Sequence, residues 1–279
     1  VIDVEARGFR PGDGPGAGDG NTYKNGGGHG GMGSYGDDPN PNTTYGSYSR
    51  PVGLGSGGGN GPGPGGGAVA LTVTGDNAMQ IDGEILARGA SPNGGGDRAG
   101  AGGSILLEAG TIAGAGTLDA SGGGKAGVHS GGGGRVAVVL TAAAADFSAF
   151  TNSATLRAAG GNGEENGAAG TVYLADADET LLIVDNEGLS TQADVVSGDR
   201  LGASDYSLLS NIVVRGNANL AIDSDDTLDF TATEVSGTGM NGGTLTISDD
   251  TGVTFVSDPS DTFTRSEEHT SELQSLSHI

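Results

Sequence analysis

The sequence predicts an all-β chain: a parallel β-helix or β-solenoid-like stack of strands carrying long glycine-rich loops. Three observations lead there. Glycine supplies 58 of 279 residues, against an average usage of about 7%. These glycines cluster in runs, with short stretches of alternating apolar residues between them. Two motifs then recur along the chain in a fixed order.

The runs come first, because glycine loses more backbone freedom on folding than any other residue. Gly26–Gly28, Gly57–Gly59, Gly65–Gly67, Gly94–Gly96 and Gly131–Gly134 are set apart by strand-like segments. Such an arrangement is organised, unlike uniform low complexity. Aromatic residues make up only 4% of the chain, which argues against a large core anchored on aromatic rings.

The first motif is a glycine feeding a strand: G-A-V-A-L-T-V from Gly67, G-S-I-L-L-E-A from Gly103, G-R-V-A-V-V-L from Gly134 and G-T-V-Y-L-A-D from Gly170. The starts lie 36, 31 and 36 residues apart. The second motif is a strand ending in a small residue and glycine: V-E-A-R-G at Val4, I-L-A-R-G at Ile85, L-D-A-S-G at Leu118 and L-R-A-A-G at Leu156. Each unit therefore reads strand, turn, strand and glycine-rich excursion, and the chain begins inside the second strand of an earlier unit, as if cut from a longer array. Val69, Leu71 and Val73, like Val136, Val138 and Leu140, alternate with small or polar residues, so one row of side chains points inward. One unit cannot bury that row alone, whereas stacked units can. Ala87, Ala120 and Ala158 are then expected to occupy equivalent positions on successive coils, two residues beyond Ile85, Leu118 and Leu156.

From about Gly198 glycine thins out and apolar pieces come closer together, at Ile212–Val214, Leu220–Ile222, Leu228–Phe230, Leu245–Ile247 and Val253–Val256. Asp, Ser, Asn and Gly turns separate them, which reads as a more conventional β-helix continuing the stack. Ala142–Phe150 alone hints at a short helical turn. Arg10–Pro64, rich in Gly, Pro, Asn and Tyr, is expected to be a long decorated loop. The organisation is thus 1–66, a glycine- and proline-rich loop region with the end of a preceding repeat; 67–197, glycine-rich β repeats; 198–264, β-helix-like repeats; and 265–279, a separate tail.

The formal charge is −23, with 35 acidic residues against 12 basic ones. Nucleic acid and anionic membranes are poor partners for such a chain, since phosphate repels it. Acidity of this kind keeps a glycine-rich extracellular polymer soluble. The absence of cysteine excludes disulfides and thiolate metal sites. The longest apolar run, Val136–Ala145, is shorter than the roughly 20 residues of a membrane span.

The segment from Gly57 to Leu182, together with Tyr45–Gly59 before it, resembles the glycine-rich repeat modules of very large adhesin-like surface proteins of environmental bacteria and archaea. The resemblance implies a secreted or cell-surface repeat protein without known catalytic residues, and it carries over no ligand. Arg265–Ser275, R-S-E-E-H-T-S-E-L-Q-S, resembles the translated adapter of short-read sequencing libraries, and Leu276–Ile279 fit its continuation. This tail holds one Arg and three Glu, so the remainder of the chain carries −21.

Catalytic signatures are not met. G-x-G-x-x-G matches arise by chance in so glycine-rich a chain, and none opens a helix after a buried strand. Gly123-Gly124-Lys125 is followed by Ala126 where a phosphate loop needs Ser or Thr. There is no G-x-S-x-G elbow. His29 and His129, both in glycine runs, read as solvated loop histidines rather than ligands.

Asp223, Asp225 and Asp226, with Asp249 and Asp250 one coil on, are the candidate calcium ligands. Aspartate is also a good turn former, and no complete calcium loop is present. No other cofactor is indicated. Asn42-Thr43-Thr44 is a glycosylation sequon in a loop.

These observations favour a non-enzymatic structural or adhesive module, located outside the cell or on its surface. Surface polysaccharide or other cell-surface components would be its partners. The rival is a polysaccharide-binding or polysaccharide-cleaving β-helix, which needs clustered carboxylates and basic residues. The arginines Arg88, Arg98, Arg135, Arg157, Arg200 and Arg215 are scattered in sequence. A third reading, an ice- or mineral-binding face, would rest on Thr227, Thr231, Thr233, Thr244 and Thr246.

Overall fold

A computed structural model describes residues 1–18, 25–35, 42–59, 61, 63–92, 98–151, 155–192, 195, 197–198 and 209–222, and the backbone of three later strands. It is nearly all sheet, with parallel strands stacked into a β-solenoid of about four turns. In chain order the first strands are β1 (Ile2–Asp3), β2 (Ala68–Thr72), β3 (Ala78–Gln80), β4 (Glu84–Leu86), β5 (Ser104–Ala109), β6 (Thr111–Ala113), β7 (Thr117–Asp119) and β8 (Arg135–Leu140). A single helical turn, α1 (Ser148–Thr151), precedes β9 (Thr155–Arg157), β10 (Thr171–Ala175), β11 (Thr180–Asp185), β12 (Asn211–Arg215) and β13 (Asn219–Ile222). The last three are β14 (Glu234–Gly237), β15 (Thr244–Ile247) and β16 (Phe263–Arg265).

The first motif forms the long sheet. β2, β5, β8 and β10 pair in parallel, with Val69, Ile105, Val136 and Val172 in one row and Leu71, Leu107, Val138 and Leu174 in the next inward row. The spacings of 36, 31 and 36 residues therefore bring equivalent residues side by side. The second motif forms a facing sheet in the order β1, β4, β7, β9. Ile85, Leu118 and Leu156 lie in register there. The apolar rows of the two sheets meet in one core, closed at the third coil by Phe150 of α1, which takes the place held by Met79 of β3 and Ile112 of β6.

Ala87, Ala120 and Ala158 form the expected ladder. Each follows the paired strand by one residue, all are buried, and Ala87 N–H donates to Asp119 O at 2.7 Å as Ala120 N–H does to Arg157 O at 2.9 Å. The N-terminal copy differs. Ile2, not Val4, pairs with Ile85, and Val4 N–H donates to Leu86 O at 2.8 Å, so Val4 takes the alanine position. A shift of two residues keeps every side chain on its own face, so alternation alone cannot distinguish the two registers.

The glycine-rich excursions pack into a bundle beside the sheets. Gly131, Gly132, Gly133 and Gly134 donate N–H in turn to Gly123 O, Gly27 O, Ala168 O and Ala120 O, at 2.9, 2.9, 2.9 and 2.7 Å. Four consecutive peptides thus address three different segments, 120–123, Gly27 and Ala168, as extended chains do when they turn about their own axis rather than lying in a flat ladder. The backbones approach too closely for any side chain to fit between them.

Asn25–Ser34 threads this bundle and is fully buried, with Gly27 bonded to Ala99 O and Gly30 and Gly31 to Gly133 O. The expected decorated loop is here an interior strand of the bundle. Its glycines need no room for side chains and satisfy their peptides on neighbouring chains. Segment 42–59 joins the bundle at both ends, through Asn42 and through Gly55–Gly59, and between them crosses the outer side of the long sheet, where Tyr48 meets Tyr173 edge-on at 5.4 Å and Ser104 Oγ donates to Gly53 O at 2.6 Å.

After β10 the path reverses. Asp176 caps a tight turn by accepting N–H from Asp178 and Glu179 at 2.9 and 2.8 Å, and β11 returns antiparallel to β10. Beyond it β12 pairs in parallel with β11 and β14 in parallel with β12, extending the long sheet to seven strands. The core changes face at this point. Leu182, Val184, Ile212 and Val214 pack with Tyr48, Leu209 and Leu220 on the side opposite the first core.

Candidate functional site

Because the chain doubles back, the facing sheet ends at β9 while the long sheet continues beneath its open edge. The result is a groove of about 330 Å³. Leu156 and Ala158 form one wall, Val172, Leu174, Leu181 and Ile183 the floor, and Arg157, Glu187, Asp185 and Arg215 the rim. The floor is apolar because β11 keeps the inward alternation of β10, with Ile183 opposite Val172 and Leu181 opposite Leu174. The rim charges neutralise each other: Arg157 Nε and Nη2 clasp Glu187 at 2.6 and 2.5 Å, and Arg215 Nε donates to Asp185 at 2.7 Å.

Asn186 closes one end. Along the facing sheet, Gly89 N–H donates to Ser121 O at 3.0 Å and Gly122 N–H to Ala159 O at 2.9 Å. At the last coil Gly160 N–H donates instead to Asn186 Oδ1 at 2.9 Å, while Asn186 Nδ2 donates to Gly167 O at 3.1 Å. A buried side-chain amide thus replaces the peptide of a missing coil.

A second polar cluster lies under the 42–59 segment. His29 is fully buried, donates from Nδ1 to Gly102 O at 2.8 Å and lies against Tyr45 at 4.7 Å. Burial, with Arg135 nearby, pushes its pKa down to about 3. Tyr45 donates to Leu54 O at 2.5 Å, and burial pushes its phenol up to about 12. Arg135, also buried, donates to Tyr45 O, Thr171 Oγ1 and Gly198 O at 3.0, 3.3 and 3.3 Å. These groups tie the crossing segment down and leave no opening to solvent.

His129 is likewise buried, bridged in parallel to Arg98 and Glu165, with Nδ1 3.2 Å from a Glu165 carboxylate oxygen. Both histidines were expected to be solvated. Their glycine neighbours allow the backbones to close around them, and each becomes an internal polar contact.

Asn42 is buried as well: Nδ2 donates to Gly26 O and Oδ1 accepts Gly33 N–H at 3.1 Å. In the folded chain its amide is engaged within the bundle, away from any glycosylating enzyme. The candidate calcium ligands Asp223, Asp225 and Asp226, with Asp249 and Asp250, lie outside the described residues, as do Arg200, Thr227, Thr231 and Thr233. Thr244 and Thr246 are described as backbone of β15 only. Among the described residues no cluster of three or more His, Asp or Glu could hold a metal ion, and no helix is long and apolar enough to cross a membrane.

Of the arginines scattered in sequence, the fold brings Arg157 and Arg215 to one groove. Sequence reasoning missed Asn186, Glu187, Leu181 and Ile183. One signal was present: Gly66, Gly102 and Gly133, each preceding the first-motif glycine, give way to Ala169 at the fourth copy. No protein-family model, curated protein or solved structure matches the chain.

Proposed function

We propose that the chain is a structural or adhesive repeat module of a large secreted or cell-surface protein, working without catalysis. What supports this reading is where the buried polar chemistry goes. The peptides of the glycine bundle bond backbone to backbone across coils, and His29, Arg135 and Asn42 bond from their side chains to the backbone of other segments, the kind of internal cross-linking by which stacked repeats hold together. Recognition would be spread over the surface of such a stack, with surface polysaccharide or other cell-surface components as partners.

Single-molecule stretching of the chain between handles tests the reading. A mechanical module resists extension and releases its length in discrete steps. Smooth extension at low force would count against it.

The groove is where a second reading, a polysaccharide-binding or polysaccharide-cleaving protein, would have to place its ligand. Its carboxylates Asp185 and Glu187 are each held by an arginine, and its described lining contains no aromatic ring on which a sugar could stack. Incubation with acidic and neutral polysaccharides, followed by a reducing-end assay, distinguishes the two. Release of new ends would overturn the first reading. Calorimetric titration of calcium into the full chain tests the Asp223, Asp225 and Asp226 turn; weak or no binding is expected, and submicromolar affinity would make the ion part of the fold.

A further inference from the structure

We infer that the groove beside β9 is a strand-accepting site: it takes an extended peptide segment that adds to β9 in parallel, as the next strand of the facing sheet. The argument starts from the peptide groups of β9. Thr155 N–H donates to Gly116 O at 3.0 Å and Arg157 O accepts Ala120 N–H at 2.9 Å, so these residues face β7. In a parallel ladder the intervening residues turn their peptides to the other side. For Leu156 and Ala158 that side is the groove. Ala158 O is already taken by Gly170 N–H at 2.7 Å. Ala158 N–H and both peptide groups of Leu156 are what β9 offers to a further strand.

The side chains agree. Ile85 and Leu118 are 2% and 0% exposed because the following coil covers them, whereas Leu156, in the same column, is only half-buried. Leu181 and Ile183 are half-buried on the floor in the same way. The space thus continues the coil-to-coil interface established by β4, β7 and β9. An added strand would set an apolar side chain over Leu156 and against Ile183, and turn its neighbours toward the rim.

Asn186 fixes where that strand stops, since its amide already fills the position beyond Ala158. The mutual pairing of Arg157 with Glu187 and Arg215 with Asp185 leaves the rim without a net demand for a charged ligand. Unpaired strand edges recruit strands, and peptide recognition by strand addition draws its affinity from main-chain hydrogen bonds and its specificity from alternate side chains. The assignment rests on the groove alone and holds whichever role the whole protein has.

The test uses the full chain and a capped peptide of the β7 sequence, G-T-L-D-A-S, which already forms one parallel pairing with β9. Titration at millimolar concentration, followed by amide NMR, is expected to shift Leu156, Ala158 and Ile183 together. Methylating the peptide nitrogen of the residue after Leu, which would donate to Leu156 O, should weaken binding about tenfold. Replacing the peptide Leu by Asp should abolish it. Absence of shifts at these three amides would overturn the proposal. So would equal binding of the methylated peptide, or equal shifts with a short alkyl alcohol, which would assign the groove to apolar small molecules.

Discussion

Gly134 N–H donates to Ala120 O at 2.7 Å, closing the glycine excursion of its own coil between the residue that begins it and the residue that ends it. The same bond recurs from Gly103 to Ala87 and from Gly170 to Ala158, each at 2.7 Å. Against each closure lies a glycine of the preceding coil: Gly66, Gly102 and Gly133, where a Cβ would strike the alanine oxygen.

Gly102→Ala and Gly133→Ala are therefore expected to destabilise the chain by about 1 to 3 kcal/mol or more each, since backbone and not a movable side chain blocks the methyl. Ala169, the corresponding residue of the fourth copy, has no further closure to accommodate and turns its methyl into the second core. Ala169→Gly should cost about 1 kcal/mol through lost burial and added chain freedom. Urea unfolding of the three variants checks the order; equal costs would refute the closure argument.

Ala120→Phe should overpack the ladder by about 1 to 3 kcal/mol or more, because coils press on Ala120 from both sides. Ala158→Phe should cost less. Its far side opens on the groove, and a ring has somewhere to go. Thermal unfolding of both variants decides it, and a larger shift for Ala158→Phe would contradict the ladder.

His29 links the fold to pH. Its folded pKa of about 3 lies below the ordinary value of 6.5, so between these limits the unfolded chain binds the extra proton. Stability from this group is complete above pH 6.5 and is lost as pH falls toward 3, at roughly 1.4 kcal/mol per pH unit. Urea midpoints measured from pH 7.5 to 5 should show this slope, and His29→Phe should flatten it even if that variant is less stable throughout.

Asn186→Ala leaves Gly160 N–H and Gly167 O without the side-chain amide that joins them. A loss of about 1 to 3 kcal/mol is expected. Hydrogen exchange is the sensitive readout: Gly160 should exchange faster in the variant, while Gly89 and Gly122, bonded to main-chain carbonyls, should not change.

The tail from Arg265 is expected to be absent from the organism's own protein. Long-read sequencing of the locus should show another continuation after about Thr264; the same codons there would refute the adapter reading.

Sequence by itself determined the parts of this protein that have side chains in rhythm. Alternation and the 36, 31 and 36 spacing placed Val69, Ile105, Val136 and Val172 in one row, and brought Ala87, Ala120 and Ala158 onto adjacent coils. The same rhythm misplaced Val4 by two residues, because a period of two is blind to that shift. Tertiary structure alone decided the rest. Glycine runs have no side chains and hence no periodicity, so nothing in Asn25–Ser34 tells which neighbours its peptides will find. Burial of His29, Arg135 and Asn42 follows from that threading and is equally silent in sequence. The groove arises from the reversal at Asp176–Glu179, which ends one sheet and lets the other run on: a relation between two layers that no single stretch of residues encodes.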